Sequence, residues 1–400
     1  MIEIKNLRIV DTENGWSRVV ADINFLDMEN PYNESNIWFA TRKKNKSMLS
    51  DESYNAFLLV PLYLAMYHKQ DLHICGKVSK RLYKNIMSYI QTILCEFSNH
   101  LSRVNVFVDG ISDVNSAGGG LIGTGISCGV DSLSTIYDHF VKENDNDYKI
   151  NALFLFNCGT HGDYENPKTL ELYEKRYELN KRAADEMNLP VYQVNSNLHA
   201  FTHQIGEQRV GYFALWSCIF AMEKAIKKYY VSSSNEYEEI KTYSKYMKDF
   251  DMAEFCESYL VPLIRTESLE LIIDGCQYRR TQKTENIANW EIAQKYLNVC
   301  INTEDGTNCS RCSKCMRTLI PLEAMGKLDK FTDTFNLSTY RKYLSRWKCY
   351  FVANTKKIGF AEDIVSYCHA HGYPLPFMVV AVPYTFLWRC ASFLKRKLKS

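Results

Sequence analysis

The chain has 400 residues, of which 46% are hydrophobic and 24% are charged, and its formal net charge is +2. This length and apolar content are sufficient for two or three domains with substantial cores, and the near balance of charge excludes a global attraction to nucleic acid. The sequence shows no charged-then-apolar export signal at its start, and it contains 14 cysteines. We therefore expect a reducing compartment, the cytoplasm.

The first part of the chain, residues 1–115, is predicted to be an α/β accessory domain. Hydrophobic periodicity predicts strands over residues 3–10, 19–25, 37–40, 72–75 and 104–108, and helices over residues 52–66 and 79–97. Turn-forming residues accumulate between positions 109 and 120, so we place the domain boundary there. No pattern in this part carries recognisable chemistry, which suits a scaffold or a substrate-selecting domain.

The stretch that follows, residues 122–140, reads as a strand, a tight turn and the start of a helix. The predicted cofactor-binding residues of the turn are Ser127, Cys128, Gly129, Val130, Asp131 and Ser132. Backbone N–H groups at a helix start favour anions, Gly129 lets a phosphate approach closely, and the serine hydroxyls add donors. Asp131 suits a magnesium ion placed between its carboxylate and phosphate. The alternative is an ordinary strand-to-helix turn with capping serines.

Strands and helices continue to alternate after this turn. Strands are predicted over residues 150–156, 191–194 and 228–232, and helices over residues 173–187 and 211–226. This order indicates βαβ units, a parallel sheet and an α/β fold, in which ligands bind beyond the carboxyl ends of the strands. The segments after two strands therefore add Asn157 and Ser234 to the predicted cofactor site. For His161, a surface loop histidine is the alternative to a catalytic role.

A basic cluster, Arg279, Arg280 and Lys283, comes shortly after three apolar residues that are predicted to form a packed helical face, Leu269, Ile272 and Ile273. Such cations could bind a triphosphate or a carboxylate substrate. A solvated charged face is the alternative, and we select Arg280 and Lys283 as the candidates. The predicted catalytic residues are Asp131, Ser132, Arg280 and Lys283.

Four cysteines near position 300 form the second strong pattern. They are Cys300, Cys309, Cys312 and Cys315, separated by eight, two and two residues. Four thiolates are the ligands of a closed structural Zn²⁺ site, and a Cys-x₂-Cys step directs two sulfurs at one metal. Arg311, Lys314 and Arg317 would offset the negative charge of four thiolates. An iron–sulfur cluster could use the same residues, whereas disulfides conflict with the expected compartment.

The turn sequence Ser-x-Gly-x-Asp-Ser resembles the pyrophosphate loop of the PP-loop ATP pyrophosphatases, Ser-Gly-Gly-x-Asp-Ser, with Cys128 at the second position. The four cysteines and Arg317 follow about 170 residues later. This combination closely resembles the 7-cyano-7-deazaguanine synthases, and the likeness covers residues 118–330. Residues 1–115 have no counterpart in that family, and its deazapurine-contacting residues are not matched here.

The resemblance implies a Rossmann-like PP-loop domain, residues 116–330, that binds ATP with Mg²⁺ at the turn and Zn²⁺ at the four cysteines. It also implies an AMP- and pyrophosphate-forming ligase, in which a carboxylate or amide oxygen of a small molecule or peptide is adenylated and then attacked by a nitrogen nucleophile. One alternative is a tRNA-modifying enzyme, lysidine-forming or thiolating, with Cys128 or Cys158 as sulfur carrier; near-neutral charge disfavours it. Another is a nucleotide-binding module without catalysis. The sequence also allows a homodimer.

The remaining residues, 331–400, are predicted to form a helical extension. Its segment 373–388 is strongly apolar and is followed by the basic residues Arg389, Lys395, Arg396, Lys397 and Lys399. The apolar run is shorter than the ~18–20 residues of a bilayer span and contains Pro383. A helix docked on the protein or on a partner is one interpretation, and an interfacial membrane anchor with a basic flank is the other.

Overall fold

The computed structural model describes residues 1–112, 119–159, 161–162, 166–205, 207–243, 256–300 and 306–397. The chain divides into two compact units. The first consists of Met1–Ile126 and Asp138–Cys276, and the second of Ser127–Tyr137 and Gln277–Ser400. The first unit contains the sheet, and the second contains the predicted turn and the four cysteines.

Ten strands form one mostly parallel sheet in the described part of the first unit. They are β1 (Ile2–Asp11), β2 (Trp16–Phe25), β3 (Asn36–Arg42), β4 (Leu72–Ser79), β5 (Val106–Ser112), β6 (Leu121–Gly125), β7 (Ala152–Asn157), β8 (Val191–Ser196), β9 (Ile226–Ser232) and β10 (Glu270–Asp274). With helices between many of these strands, the chain is an α/β protein, as the alternation of apolar patterns indicates.

The strand order is β10-β9-β6-β7-β8-β3-β2-β1-β4-β5. Neighbours from β10 to β8 pair in parallel. The order reverses at β6, because β7 and β8 lie on one side of it and β9 and β10 on the other. Open α/β sheets bind ligands at such a reversal, beyond the carboxyl ends of the strands. The turn that begins at Ser127 follows β6 directly along the chain.

The prediction of a packed helical face at Leu269, Ile272 and Ile273 is wrong, because Ile272 and Ile273 lie in the strand β10 and Leu269 directly precedes it. Its backbone pairs in parallel with β9, from Glu270 opposite Lys228 to Asp274 opposite Ser232. The spacing of apolar residues in so short a run fits a helix and a strand equally well. Pairing with a neighbouring strand therefore decides its conformation.

The strands of residues 1–112 belong to the same sheet and do not form a separate accessory domain. β3 and β8 pair antiparallel, and side chains extend this short ladder. Asn197 accepts a hydrogen bond from the Trp38 N–H at 2.9 Å, and the Thr41 hydroxyl donates to the Gln193 carbonyl at 2.9 Å. Backbone pairing thus continues past the boundary predicted near residue 115. The boundary predicted near residue 330 falls inside the second unit.

The helices alternate with the strands and then fill the C-terminal part of the chain. They are α1 (Leu59–His68), α2 (Lys80–Asn85), α3 (Gln91–Phe97), α4 (Val130–Ile136), α5 (Pro167–Glu186), α6 (His199–Thr202), α7 (Glu207–Phe220), α8 (Tyr237–Tyr243), α9 (Glu257–Leu260), α10 (Arg280–Ile287), α11 (Glu291–Tyr296), α12 (Ser313–Ala324), α13 (Leu337–Asn354), α14 (Gly359–Ala370) and α15 (Met378–Lys397). Helix α4 and helices α10 to α15 belong to the second unit.

Local chemistry explains where several helices begin and end. The Asn166 side chain accepts a hydrogen bond from the Lys168 N–H at 3.0 Å, and Pro167 occupies the first position of α5. Helix α1 ends at Lys69, which adopts a left-handed conformation with φ of 53°. All residues of α1 from 59 to 66 are buried, so this helix belongs to the core of the first unit.

We expect Asn197→Ala to lower the free energy of unfolding by about 1–3 kcal/mol, because the buried Trp38 N–H and the partly buried Asn36 carbonyl lose their partner. Asn197 is fully buried, and its amide also donates to the Asn36 carbonyl at 2.8 Å. Urea denaturation measures the change. Asn144→Ala is the matched control, since Asn144 is exposed and lies in a local loop contact. Equal losses in the two variants would contradict the role assigned to Asn197.

Candidate functional site

The predicted turn is closed by its own side chains. Helix α4 begins at Val130 after Gly129, and the hydroxyl oxygens of Ser127 and Ser132 lie 3.1 Å apart. The Ser132 hydroxyl donates to the Gly129 carbonyl, and the Gly129 N–H donates to the Ser127 hydroxyl, both at 3.3 Å. Neither serine occupies the N-cap of α4, which is Gly129. The serines therefore shape the turn instead of capping the helix.

Cys128 adopts a left-handed backbone conformation, with φ of 53°. Glycine reaches this conformation freely, whereas for another residue it costs about 1–2 kcal/mol. The Cys128 carbonyl accepts a hydrogen bond from the Asn298 N–H at 2.7 Å, which helps to hold the conformation. Burial raises the pKa of the Cys128 thiol to about 12. The thiol is therefore protonated near neutral pH and unsuited to carry sulfur.

Asp131, in the first turn of α4, forms ion pairs with two cations of α10. The Arg280 Nη1 lies 2.8 Å from one carboxylate oxygen, and the Lys283 Nζ lies 3.3 Å from the other. The Asp131 side chain is 26% exposed and that of Lys283 only 1%. A solvated charged face is thus wrong for Lys283, because a buried ammonium group requires a counter-charge.

Opposing effects act on the pKa of Asp131. Burial disfavours the charged form, but the charges and hydrogen bonds of Arg280 and Lys283 outweigh it and hold the pKa below its ordinary value of 3.8. The carboxylate is therefore ionised at neutral pH. The buried Nε of Arg280 has no hydrogen-bond partner among the described residues. One donor of this guanidinium is thus unsatisfied within the described residues.

Contacts inside the second unit set the position of α10. The Thr281 N–H and hydroxyl donate to the Asp363 carboxylate of α14 at 3.1 and 2.6 Å. The Asn286 amide donates to the Ser134 hydroxyl of α4 at 3.1 Å. Burial raises the pKa of Asp363, although the hydrogen bonds from Thr281 oppose this effect. The C-terminal helices thus position the site, a role that the sequence alone did not indicate.

Two further cations of the second unit, Lys314 and Arg317, lie on α12. Burial lowers the pKa of Lys314, and the charges of Arg280 and Arg317 lower it further, whereas Asp131 opposes them. The Arg317 guanidinium lies 4.4 Å above the Phe360 ring centre. The sequence predicts that Lys314 and Arg317 offset the thiolates, and in the structure the charges of Asp131 and Arg280 also act on Lys314. Their spacing of three residues on one helix face is the signal that could have suggested a shared role.

The four predicted metal ligands come together in the second unit. Their sulfur atoms all lie within 4.8 Å of one another. The separations Cys300–Cys312, Cys309–Cys315 and Cys312–Cys315 are 3.8, 3.9 and 3.6 Å. Sulfurs around a tetrahedral ion with metal–sulfur bonds of about 2.3 Å stand about 3.8 Å apart. No described cysteine forms a disulfide, so the group could hold one metal ion.

Asn308 organises the chain around this group. Its side-chain oxygen accepts hydrogen bonds from the N–H groups of Val299 and Cys300, at 2.9 and 3.2 Å. Its side-chain amide donates to the carbonyls of Leu297 and Thr334, at 2.7 and 3.1 Å. One asparagine in the gap between the first two cysteines therefore joins the segment before Cys300 to the segment before α13.

Asn157 and Ser234, the remaining predicted cofactor residues, belong to the first unit. Asn157 ends β7 and is buried, and its amide donates to the Asn195 side-chain oxygen at 2.8 Å. The Oδ1 atom of Asn157 has no hydrogen-bond partner within the described ranges. Ser234 is exposed in the turn after β9. Burial and the charge of Arg176 lower the pKa of His161 to about 3, so this histidine is neutral at physiological pH.

Compared with family models, with curated proteins and with solved structures, the chain has no match. Its candidate site is therefore defined by its own geometry. Within the second unit this geometry consists of a closed turn, an Asp131 ion pair flanked by further cations, and a group of four thiols.

We expect the purified chain to bind one metal ion, and Cys312→Ser to lose it, because the Cys312 sulfur lies within 3.8 Å of two other sulfurs of the group. Elemental analysis of the dialysed proteins measures the metal content. Cys390→Ser is the matched control, since Cys390 is exposed in α15 and lies outside the group. Full metal content in Cys312→Ser would contradict the assignment.

The ion pair of Asp131 predicts a pH-dependent contribution to stability. Because the pKa of folded Asp131 is lowered, its contribution is complete above the unfolded pKa and disappears as the pH falls through the folded pKa. We expect Asp131→Asn to lower the unfolding free energy by about 1–3 kcal/mol at pH 7, with the difference shrinking as the pH falls below about 4. Denaturation at several pH values measures it. Asp147→Asn serves as control because Asp147 is 75% exposed; a difference that does not change with pH would refute the ion pair.

Proposed function

We propose that the turn of residues 127–132 binds the phosphates of ATP, and that the chain is an AMP- and pyrophosphate-forming ligase related to the PP-loop ATP pyrophosphatases. One observation carries the proposal: the carboxylate of a Ser-x-Gly-x-Asp-Ser turn is held by Arg280 and Lys283. A turn that only connects a strand to a helix has no need of a buried lysine and a half-buried arginine.

The charges of this site favour a polyphosphate. Arg280, Lys283, Lys314 and Arg317 lie in the second unit with Asp131 as the carboxylate of the turn. Positive charge therefore exceeds negative charge around the turn, and guanidinium and ammonium groups are the usual protein donors to phosphate oxygens. The unsatisfied Nε of Arg280 supports the same interpretation, because a buried donor requires an acceptor.

Asp131 is the carboxylate that would hold magnesium. Mg²⁺ is commonly bound by one or two carboxylates together with substrate phosphates. Binding of the nucleotide would then release Arg280 and Lys283 from Asp131 and turn them toward phosphate oxygens. Magnesium would supply charge stabilisation for the departing pyrophosphate. The hydroxyls of Ser127 and Ser132 would add neutral donors at the same place.

The reaction proposed here transfers an adenylyl group. A carboxylate or amide oxygen of the substrate attacks the α-phosphorus of ATP, the bond to pyrophosphate breaks, and a nitrogen nucleophile then displaces AMP. Neither step needs a nucleophile from the protein, so the side chains position the reactants and stabilise charge. The pKa of Cys128 disfavours the sulfur-transfer variant at this position.

We also propose that the ion held by the four cysteines is zinc. A closed set of four thiolates around one ion is typical of structural zinc sites. In a four-iron cluster each thiolate binds a different iron, which separates the sulfurs more than the 3.6 to 3.9 Å found here. The ion would join Cys300 to the start of α12, the helix that also carries Lys314.

Labelled ATP tests the proposed function. The full-length chain is incubated with Mg²⁺, an ammonium salt, ATP labelled at the α-phosphate and a panel of carboxylic acids that includes 7-carboxy-7-deazaguanine. We expect AMP and pyrophosphate with at least one acid, and exchange of labelled pyrophosphate into ATP. Asp131→Asn should reduce the rate by about a hundredfold or more, whereas Asp147→Asn should not. Release of ADP and phosphate, or full activity of Asp131→Asn, would refute the mechanism.

A further inference from the structure

Helix α15 turns several large apolar side chains outward. Phe377, just before the helix, is 81% exposed, Val379 is 78% exposed, and Phe386 and Leu387 are each 66% exposed. Further exposed apolar residues of this segment are Met378, Val380, Val382, Tyr384 and Phe393. Contiguous apolar surface of this kind is uncommon on soluble domains and marks a site of contact with another apolar phase.

The face of α15 that packs on the rest of the second unit contains two small residues, one threonine and one tryptophan. Ala381 and Thr385 are buried, and Trp388 and Ser392 are half-buried, so the inward positions recur at intervals of four, three and four residues. The helix packs mainly on α13, where the Trp388 ring lies 6.4 Å from the Trp347 ring. The helix thus packs on the protein by its less apolar side, whereas a helix that covers a hydrophobic core buries its apolar side.

The charge of this segment is of one sign. The sequence contains no aspartate or glutamate after Asp363, whereas Arg389, Lys395, Arg396, Lys397 and Lys399 follow the apolar run. Arg346 of α13 adds a guanidinium that lies 4.0 Å above the Trp388 ring centre. Two copies of such a surface would repel each other, and an anionic surface would attract it. Charge complementarity therefore favours an anionic occupant over a second copy of the chain.

The length and apolar content of α15 determine whether it could span a bilayer or lie in its interface. In the part of the chain that the structure describes, no helix is sufficiently long and apolar to span a membrane. A helix with an apolar face, aromatic residues and a basic flank lies instead in the plane of the interface, with its apolar face among the acyl chains. Basic residues next to such a face strengthen binding to anionic headgroups.

From the outward apolar face of α15 and its uniformly basic flank, we infer that this helix binds the surface of anionic phospholipid bilayers. The surface consists of Phe377, Val379, Phe386 and Leu387, and the basic residues Arg389 and Lys397 follow it on the same helix. Binding by this surface would place the ATP-dependent chemistry at a membrane, but the inference does not depend on that chemistry.

Vesicle flotation with the full chain tests the inference. We expect the protein to float with vesicles of phosphatidylcholine and phosphatidylserine, less with phosphatidylcholine alone, and less again at high salt. The combined variant Val379→Ser, Phe386→Ser and Leu387→Ser should lose flotation. Its folding is checked by the metal content of the four-cysteine group and by thermal unfolding. Leu26→Ser is the matched control, because Leu26 is 55% exposed in the first unit.

The outcomes separate the occupants of this surface. Flotation should depend on phosphatidylserine and be lost in the double variant Arg389→Gln, Lys397→Gln. This result would support the basic flank as the contact with lipid headgroups. Equal recovery of wild type and triple-serine variant would overturn the inference. Absence of flotation would also overturn the inference. If the wild type is then a dimer that the triple-serine variant abolishes, the face contacts a second copy of the chain. If the wild type is a monomer, the face is left for a protein partner.

Discussion

The ion pair of Asp131 with Arg280 and Lys283 is the interaction on which the second unit depends. It joins α4 to α10 and keeps Lys283, a nearly fully buried cation, next to a carboxylate. An isolated buried ammonium group is strongly unfavourable, so the two helices must approach for either side chain to stay charged. Because burying an unpaired charge is unfavourable, the turn and α10 must pack together for Asp131, Arg280 and Lys283 to be paired.

The four-cysteine group belongs to the same element through the backbone. The Asn298 N–H donates to the Cys128 carbonyl at 2.7 Å, and Cys300 follows two residues later. Cys315 lies in the first turn of α12, which also carries Lys314. A metal ion bound by the cysteines would therefore join two parts of the chain. One is the segment with Asn298 and Cys300, which holds the turn through Cys128, and the other is α12, which carries Lys314. This arrangement explains how a structural metal can be important for a site that it does not enter.

The sheet shows a different constraint, in which backbone pairing overrides local composition. The N-terminal strands continue the sheet through β3 and β8, although the turn formers before β6 suggest a boundary. Backbone N–H and C=O groups at a strand edge need partners, and β8 supplies them to β3. The same requirement turns the apolar segment of residues 270–274 into a strand beside β9. The first unit is therefore one sheet assembled from both halves of the sequence.

Local sequence patterns predict the α/β class, most strands and helices, the turn after β6 and the grouping of the four cysteines, because these depend on hydrophobic period, turn chemistry and residue spacing within short segments. They could also select Arg280 and Lys283, but only as two cations on one segment. Contacts between distant segments bring both cations to Asp131, about 150 residues earlier in the sequence. Such contacts also let Asp363 position α10 and hold Cys128 in its left-handed conformation. The tertiary structure also decides which side of α15 is buried. These properties arise from contacts between distant segments and from burial, which no local pattern encodes.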